Sequence, residues 1–118
     1  INKTGKLDFP EKINLIDTPD LFQPLKCTLY ALDIDADIIG IKTLKHKETN
    51  RITAVKNELN KLKSNKNINT HQDHRMAMSF APLSIKYGEL IIKDIDVVSK
   101  SYPKFWEDLK KAGFKVKS

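Results

Sequence analysis

Short apolar runs alternate with longer amphipathic segments along this chain, and that alternation limits the folds it can adopt. Runs rich in β-branched residues predict strands at residues 13–17, 37–43 and 90–95. Apolar residues at helical spacing predict helices over residues 21–32, 48–63, 73–86 and 101–113. Because strands and helices follow one another in turn, we predict an α/β (α+β layer) fold in which the helices pack on a sheet.

Caps and prolines set the predicted ends of these helices. Pro24 lies in the first turn of the first helix, where a missing N–H is tolerated, and Asp20 then falls near its cap. Pro82 is expected to bend or shorten the third helix, while Ser101 is the predicted cap of the last. Residues 64–69 form a polar connector without periodicity.

Each predicted helix has one apolar stripe that is expected to face the core. These stripes are Leu21, Leu25, Leu29 and Leu32, then Ile52, Val55, Leu59 and Leu62, then Met76, Phe80 and Leu83, and last Tyr102, Phe105, Trp106 and Leu109.

Length and composition restrict the class of protein. The chain has 118 residues, enough for one domain with a core, and a net charge of +6 that indicates an anionic partner. Its one cysteine, Cys27, excludes an internal disulfide and predicts a buried apolar thiol in a reducing, cytoplasmic setting. No apolar run reaches the length of a membrane span. The sequence begins with Ile1 and not Met, which fits a processed product or, in our preferred interpretation, a piece of a longer protein.

Residues 45–51, with the sequence KHKETNR, combine two cations and a carboxylate at a predicted helix start. Lys47 and Arg51 are four residues apart, so a helix would place them on one face with Glu48 beside them. The unpaired N–H groups of a helix N-terminus also favour anions. Taken on its own, this segment is better explained by a solvated helix start with a single ion pair.

The same arrangement recurs at two other predicted helix starts, which strengthens the functional interpretation. Residues 73–75 contain Arg75, and residues 100–103 contain Lys100. Helix starts that follow strands tend to face one edge of an open sheet, where such folds bind ligands. We therefore predict one polyanion site in which two carboxylates lie among cations: Asp20, Lys47, Glu48, Arg51, Arg75 and Lys100.

Other functions find less support in the residues. The spacing of the three histidines, His46, His71 and His74, is not that of a helical zinc site, so no metal is predicted. Cys27 has no histidine at a sequence spacing typical of a catalytic pair, so no thiol nucleophile is predicted either. The basic run at residues 61–66 leaves nucleic-acid binding as an alternative. The aromatic residues have core spacing, however, and do not form a stacking platform, so we predict no nucleic-acid partner.

Three motifs in this order closely resemble the EPSP synthase family: KHKETNR at residues 45–51, DHRMAM at residues 73–78 and KSYP at residues 100–103. Pro19-Asp20 also resembles the aspartate motif of that family. The resemblance covers nearly the whole chain. It implies transfer of the enolpyruvyl group of phosphoenolpyruvate to the 5-hydroxyl of shikimate 3-phosphate, with release of phosphate and without a metal or organic cofactor.

The resemblance also implies roles for single residues. Asp20 would bind the shikimate hydroxyls and accept a proton, and Glu48 would protonate the methylene carbon of phosphoenolpyruvate. Lys47 would lie near shikimate 3-phosphate. The expected phosphoenolpyruvate ligands are Arg51, Arg75 and Lys100.

The chain also departs from the family pattern. Family members are much longer, with two domains built from repeats of a βαβαββ unit on a mixed sheet, and residues 1–118 resemble only the C-terminal domain. The Lys-Ser pair of the absent N-terminal domain has no counterpart here, so the isolated chain is expected to be inactive and to need that domain as partner. The family also has a longer segment, with a β-hairpin, between the second helix and Asp73. An independently folded domain that binds phosphorylated metabolites without catalysis is the alternative.

Overall fold

The computed structural model describes residues 10–47 and 49–116. Its elements in chain order are β1 (Lys12–Asn14), α1 (Phe22–Ala31), β2 (Asp37–Ile39), α2 (Arg51–Lys61), β3 (Asn67–Ile68), α3 (His74–Phe80), α4 (Ser84–Tyr87), β4 (Ile91–Ile92) and α5 (Phe105–Lys111). Short 3₁₀ turns lie between them at Pro19–Leu21, Lys42–His46, Ala81–Leu83 and Ile95–Val98.

The described strands form two parallel pairs. In the first pair β1 lies beside β2, with Ile13 opposite Ile38, and in the second β3 lies beside β4, with Ile68 opposite Ile92. Parallel strands need a crossover connection, which α1 supplies for the first pair and α3 with α4 for the second. The α/β class is therefore confirmed. The prediction of a mixed sheet is wrong for the described ranges, because both sheets there are two-stranded and no hairpin joins neighbouring strands.

Helices α1, α2 and α3 pack around one apolar core. The stripes predicted for the second and third helices contribute these buried members: Val55, Leu59, Leu62, Met76, Phe80 and Leu83. The stripe predicted for α1 is wrong at its ends, since Leu21 and Leu32 are 52% and 48% exposed. Because α1 begins at Phe22, its buried face carries Phe22, Gln23, Cys27 and Leu29.

Cys27 is a core residue with the character that was predicted for it. Its side chain is buried in α1, and burial raises the pKa of the thiol to about 12. The thiol is therefore protonated at neutral pH and contributes to the core as a small apolar group.

In the described ranges, every helix is too short or too polar to cross a membrane.

Two predicted helix starts differ from the observed ones. Helix α2 begins at Arg51 and not at residue 48, because the Asn50 side chain accepts a hydrogen bond from the Thr53 N–H at 3.3 Å and caps the helix there. Helix α5 begins at Phe105, and Ser101 does not cap it. The Ser101 and Tyr102 N–H groups instead donate to the carbonyl of Val98, which extends the preceding 3₁₀ turn.

The prediction for residues 64–69 was incomplete, whereas that for Pro82 is confirmed. The connector contains β3, which was missed because two residues are too few to produce a periodic pattern. Ile68 in this strand is fully buried. The helix that contains Pro82 is interrupted by the 3₁₀ turn Ala81–Leu83 and resumes as α4, as expected for a residue without an N–H.

Gly40, which follows β2, is expected to tolerate no side chain. Its φ is +77°, and an added Cβ would overlap Asn14 Oδ1 and lie 2.6 Å from the Ile16 nitrogen. We expect Gly40→Ala to lower the free energy of unfolding by about 2–4 kcal/mol, because left-handed strain adds to a clash with backbone. Urea denaturation measures this loss.

Gly88→Ala is the matched control for that substitution. Gly88 has a similar φ of +79°, but an added Cβ meets no heavy atom within 4 Å. At φ +79° and ψ −153° Gly88 has a backbone conformation that essentially only glycine adopts, so the control should lose about 1–3 kcal/mol from backbone strain alone, less than Gly40→Ala, which adds the clash. Equal losses in the two variants would show that the clash with Asn14 and Ile16 does not cause the destabilisation of Gly40→Ala.

Candidate active site

Asp73 is the buried centre of a polar network at the start of α3. Its side chain is fully buried and caps the helix, since Oδ1 accepts a hydrogen bond from the Arg75 N–H at 2.9 Å. A carboxylate at this position also interacts favourably with the helix dipole. Gln23 of α1 donates from Nε2 to Oδ2 at 3.2 Å. The carboxylate therefore joins α1 to the start of α3.

Arg51, the first residue of α2, pairs with this carboxylate in a two-pronged arrangement. Its Nε lies 2.8 Å from Asp73 Oδ2, and its Nη2 lies 3.3 Å from Asp73 Oδ1. The side chains are only 3% and 0% exposed. A buried guanidinium at a helix N-terminus is unfavourable without an anion, and Asp73 supplies a fully buried one.

Asp20 lies between two arginines at the surface of this network. Its Oδ1 accepts from Arg51 Nη1 at 3.2 Å, and its Oδ2 lies 3.2 Å from Arg75 Nη2. The Asp20 side chain is 50% exposed and that of Arg75 is 36% exposed, whereas Arg51 is buried. Asp20 was predicted near the cap of α1; it lies in the 3₁₀ turn Pro19–Leu21 and binds the two guanidinium groups instead.

The structure thus brings together three of the six predicted site residues: Asp20, Arg51 and Arg75. Lys47 and Lys100 are exposed and form no hydrogen bond or ion pair with other described residues. Lys100 follows the 3₁₀ turn Ile95–Val98, which packs against α3. Glu48 lies outside the described residues.

One geometric expectation for the site was wrong. Lys47 does not share a helix face with Arg51, because it precedes α2 and has an extended backbone with ψ near −160°. Side chains four residues apart lie on one face only when the segment between them is helical. Because Asn50 caps α2, the helix begins only at Arg51 and Lys47 lies before it. In the described ranges, no group of three His, Cys, Asp or Glu side chains is arranged to hold a metal ion.

A second polar cluster holds the loop that leads into Asp73. Glu58 of α2 accepts from the Asn69 N–H at 2.9 Å and lies 2.7 Å from Lys61 Nζ and 3.0 Å from His71 Nε2. His71 and Gln72 have φ values of +52° and +56°, a strained pair immediately before the cap of α3. Burial alone would raise the pKa of Glu58, but its hydrogen bonds outweigh burial and lower it.

Glu58→Gln is expected to change the pH dependence of stability. Because folding lowers the pKa of Glu58, the carboxylate stabilises the fold fully above its ordinary value of 4.5 and ceases to do so as pH falls through the folded value. The variant should be about 2 kcal/mol less stable at neutral pH and should lose less on acidification. Thermal unfolding across the acid range measures both effects. Parallel pH profiles for the two proteins would contradict this account.

Sequence reasoning did not assign a site role to Asp73 or Gln23. Asp73 was identified only as a helix opener, although an aspartate that is both an N-cap and a neighbour of a site arginine is a recognisable signal. Gln23 carried no signal, because a single polar residue in the first turn of an amphipathic helix is usually solvated. The contact between Gln23 and Asp73 spans 50 residues of sequence and depends on the packing of α1 against α3.

The geometry defines the class of protein as an α/β domain with a partly buried arginine–carboxylate network. Residues 63–109 match the family model for EPSP synthase (3-phosphoshikimate 1-carboxyvinyltransferase). The chain is similar to proteins of that name from Bacteroides fragilis, with 41% identity over 88% of the chain, from Clostridium beijerinckii, with 35% over 92%, and from Methanospirillum hungatei, with 32% over 85%. The resemblance is confirmed: the chain is homologous to part of the EPSP synthases.

The lengths of these alignments add two facts. The chain spans about 30% of the length of the relatives from B. fragilis and C. beijerinckii. The alignment with the B. fragilis protein covers 125 positions but only 88% of a chain of 118 residues. The B. fragilis protein therefore carries residues within this stretch that the chain lacks.

Proposed function

We propose that this chain forms part of the active site of an EPSP synthase, an enzyme that transfers the enolpyruvyl group of phosphoenolpyruvate to the 5-hydroxyl of shikimate 3-phosphate and releases phosphate. The observation that carries the proposal is the position of Asp20 between Arg51 and Arg75, at 3.2 Å from each. These residues come from motifs that are far apart in sequence. Their meeting at one half-exposed position supports a shared role.

In this proposal the cations divide between the two anionic substrates. Arg51, Arg75 and Lys100 bind phosphoenolpyruvate, and Lys47 binds shikimate 3-phosphate. Arginine suits the planar carboxylate or phosphate group because it donates two parallel hydrogen bonds, while lysine acts as a point charge. Arg51 is held by Asp73 before any ligand arrives, so the free energy of binding is not spent on ordering it.

The two carboxylates supply the proton transfers. Glu48 delivers a proton to the methylene carbon of phosphoenolpyruvate while Asp20 removes one from the 5-hydroxyl, and a bond forms between that oxygen and the adjacent enol carbon. Proton gain at carbon and proton loss at oxygen balance the addition. The C–O bond to phosphate then breaks and the new methyl group loses a proton, which restores the double bond and releases phosphate. The cations hold the phosphate and carboxylate groups in line for it. Asp20 is half exposed, which supports its access to substrate.

Because the charges within the network already balance, a substrate anion would have to displace one of its ion pairs. Asp20 and Asp73 balance the charges of Arg51 and Arg75, so these four side chains together are neutral. An anion gains most by taking the place of Asp20 at the exposed Arg75. Asp20 is then released toward the shikimate hydroxyl, and the exposed Lys47 and Lys100 add net positive charge.

We place the chain in the C-terminal domain of the enzyme, with its strands and helices as partial βαβαββ repeats, and we predict a cytoplasmic location. The two parallel pairs, each joined by a helical crossover, support repeated units. The proposed partner is an N-terminal domain that supplies the remaining substrate ligands. The two small anions and that domain are the proposed partners, without nucleic acid or membrane.

The proposal predicts that activity depends on a partner domain. The isolated chain should not turn over the two substrates, whereas a chimera in which it replaces the matching part of the B. fragilis relative should release phosphate. Phosphate release is measured with both substrates present. A chimera with Glu48→Gln is the control and should lose activity by about 10²-fold or more, as expected for loss of a general acid.

Two results would contradict this proposal. Turnover by the isolated chain would show that no partner domain is needed. A folded chimera that binds both substrates without releasing phosphate would favour the alternative, a domain that binds phosphorylated metabolites without catalysis.

A further inference from the structure

Gln23 is a buried polar side chain that the proposed chemistry does not use. It lies in the first turn of α1 and is 1% exposed. Its Nε2 donates to Asp73 Oδ2 at 3.2 Å, while its Oε1 is buried and has no hydrogen-bond partner among the described residues. Burying an amide with only part of its hydrogen bonds made is unfavourable, so an apolar residue would suit a purely structural position better.

The neighbour of Gln23 determines which way the amide faces. An ionised carboxylate only accepts hydrogen bonds, so the Nε2 end must face Asp73. Turning the amide would bring Oε1 against Oδ2 and leave two acceptors in contact. The unpartnered Oε1 is therefore the consequence of keeping a donor on Asp73.

This donor completes the set of contacts that orient Asp73. Oδ2 receives Gln23 Nε2 and Arg51 Nε, whereas Oδ1 receives the Arg75 N–H and Arg51 Nη2. The four contacts come from α1, α2 and α3, so the plane of the carboxylate is set from three sides. Arg51 follows that plane because it binds both oxygens.

We propose that Gln23 is a positioning residue for the anion site: it holds Asp73 in the orientation that aims Arg51 at the position of Asp20, where substrate binds. Gln23 itself touches no substrate. The inference rests on the proposed function only for the identity of the anion, phosphoenolpyruvate. The positioning itself depends on contacts within the chain.

The Gln23→Glu variant distinguishes a positioning role of Gln23 from a packing role. A glutamate here would face Asp73, and two carboxylates at this distance share a proton. With the proton bound, the new carboxyl group donates to Oδ2 as the amide does. Once the proton is lost, two anions compete for Arg51 and the orientation fails. Among the described residues, the other charged groups of the network are His74, whose Nδ1 lies 4.0 Å from Asp73 Oδ1, together with Arg75 and Asp20. All three are unchanged in the variant.

The experiment compares the chain with Gln23→Glu and Gln23→Met, which keeps the volume but removes the donor. The NMR signal of the Arg51 Nε–Hε group reports the contact with Asp73, and calorimetry measures phosphoenolpyruvate affinity from about pH 5 to about pH 9. Gln23→Met should bind phosphoenolpyruvate up to roughly tenfold more weakly, because part of the free energy of binding is then spent on ordering Arg51, with the pH profile of the unmodified chain. Gln23→Glu should match the unmodified chain at low pH and weaken as pH rises.

The measurements distinguish failure of the positioning role of Gln23 from failure of phosphoenolpyruvate as the proposed ligand. If both variants keep the Arg51 signal and the affinity of the unmodified chain at every pH, Gln23 has no positioning role, and the proposed function is unaffected. If the unmodified chain does not bind phosphoenolpyruvate but its Arg51 signal still changes with pH in Gln23→Glu, the positioning role stands and the proposed ligand is wrong. Should Gln23→Glu not fold, Gln23→Met alone decides, because an unchanged Arg51 signal in it overturns the proposal.

Discussion

Asp73→Ala should lower the free energy of unfolding by about 3–5 kcal/mol, the largest loss that we expect from any single substitution in the site. The carboxylate is fully buried and pairs with Arg51 through contacts of 2.8 and 3.3 Å. Its removal takes away the two-pronged partner of the buried Arg51 guanidinium, which keeps its contact with the half-exposed Asp20, and it also removes the cap of α3. Urea denaturation at neutral pH measures the loss.

Two controls assign this loss to the buried charge of Arg51 that has lost its Asp73 partner. The double variant Arg51→Met, Asp73→Leu removes both charges and should recover much of the stability, because apolar pairs often replace buried ion pairs without loss. Asp35→Ala, at an exposed position, should change stability by less than about 0.5 kcal/mol. A double variant as unstable as Asp73→Ala would indicate that the cap or the packing, and not the charge, determines the effect.

Arg75→Ala should have the opposite profile, with a large effect on binding and a small one on stability. The side chain is 36% exposed and its ion pair is with the half-exposed Asp20, so the pair contributes only about 0–1 kcal/mol to folding. Loss of a charge-assisted hydrogen bond to phosphoenolpyruvate should weaken affinity roughly 10- to 100-fold. Calorimetric titration of the folded variant measures this change.

Lys63→Ala is the matched control for that experiment. It removes one positive charge from an exposed position beyond the end of α2, away from the network. Its effect on phosphoenolpyruvate affinity should be small and should disappear as salt is added. Equal weakening by Arg75→Ala and Lys63→Ala would mean that net charge, and not a defined site, attracts the anion.

The fold class and most of the core were predictable because they depend on local pattern. The spacing of Val55, Leu59 and Leu62 predicts a buried helix face, and that face is buried. Boundaries were less predictable, because they depend on single hydrogen bonds. The Asn50 cap, for example, moved the start of α2 and separated Lys47 from the face of Arg51.

The motifs predicted which residues matter but not how they are held. Asp20, Arg51 and Arg75 were identified from sequence, and the structure brings them into contact. Asp73 and Gln23 were not assigned to the site, since their roles arise only when α1 packs against α3 and a carboxylate becomes buried between them. No local rule relates residues that are 50 positions apart.

The most direct test of the central claim, that Asp20, Arg51 and Arg75 form the substrate anion site, is an NMR titration of this chain with phosphoenolpyruvate and shikimate 3-phosphate. The arginine Nε–Hε signals and the backbone amides report the position of the bound anion. We expect the signals of Arg51, Arg75 and the amides near Asp20 to shift at millimolar ligand. Unchanged signals at these residues, or shifts spread evenly over the exposed lysines, would contradict the claim.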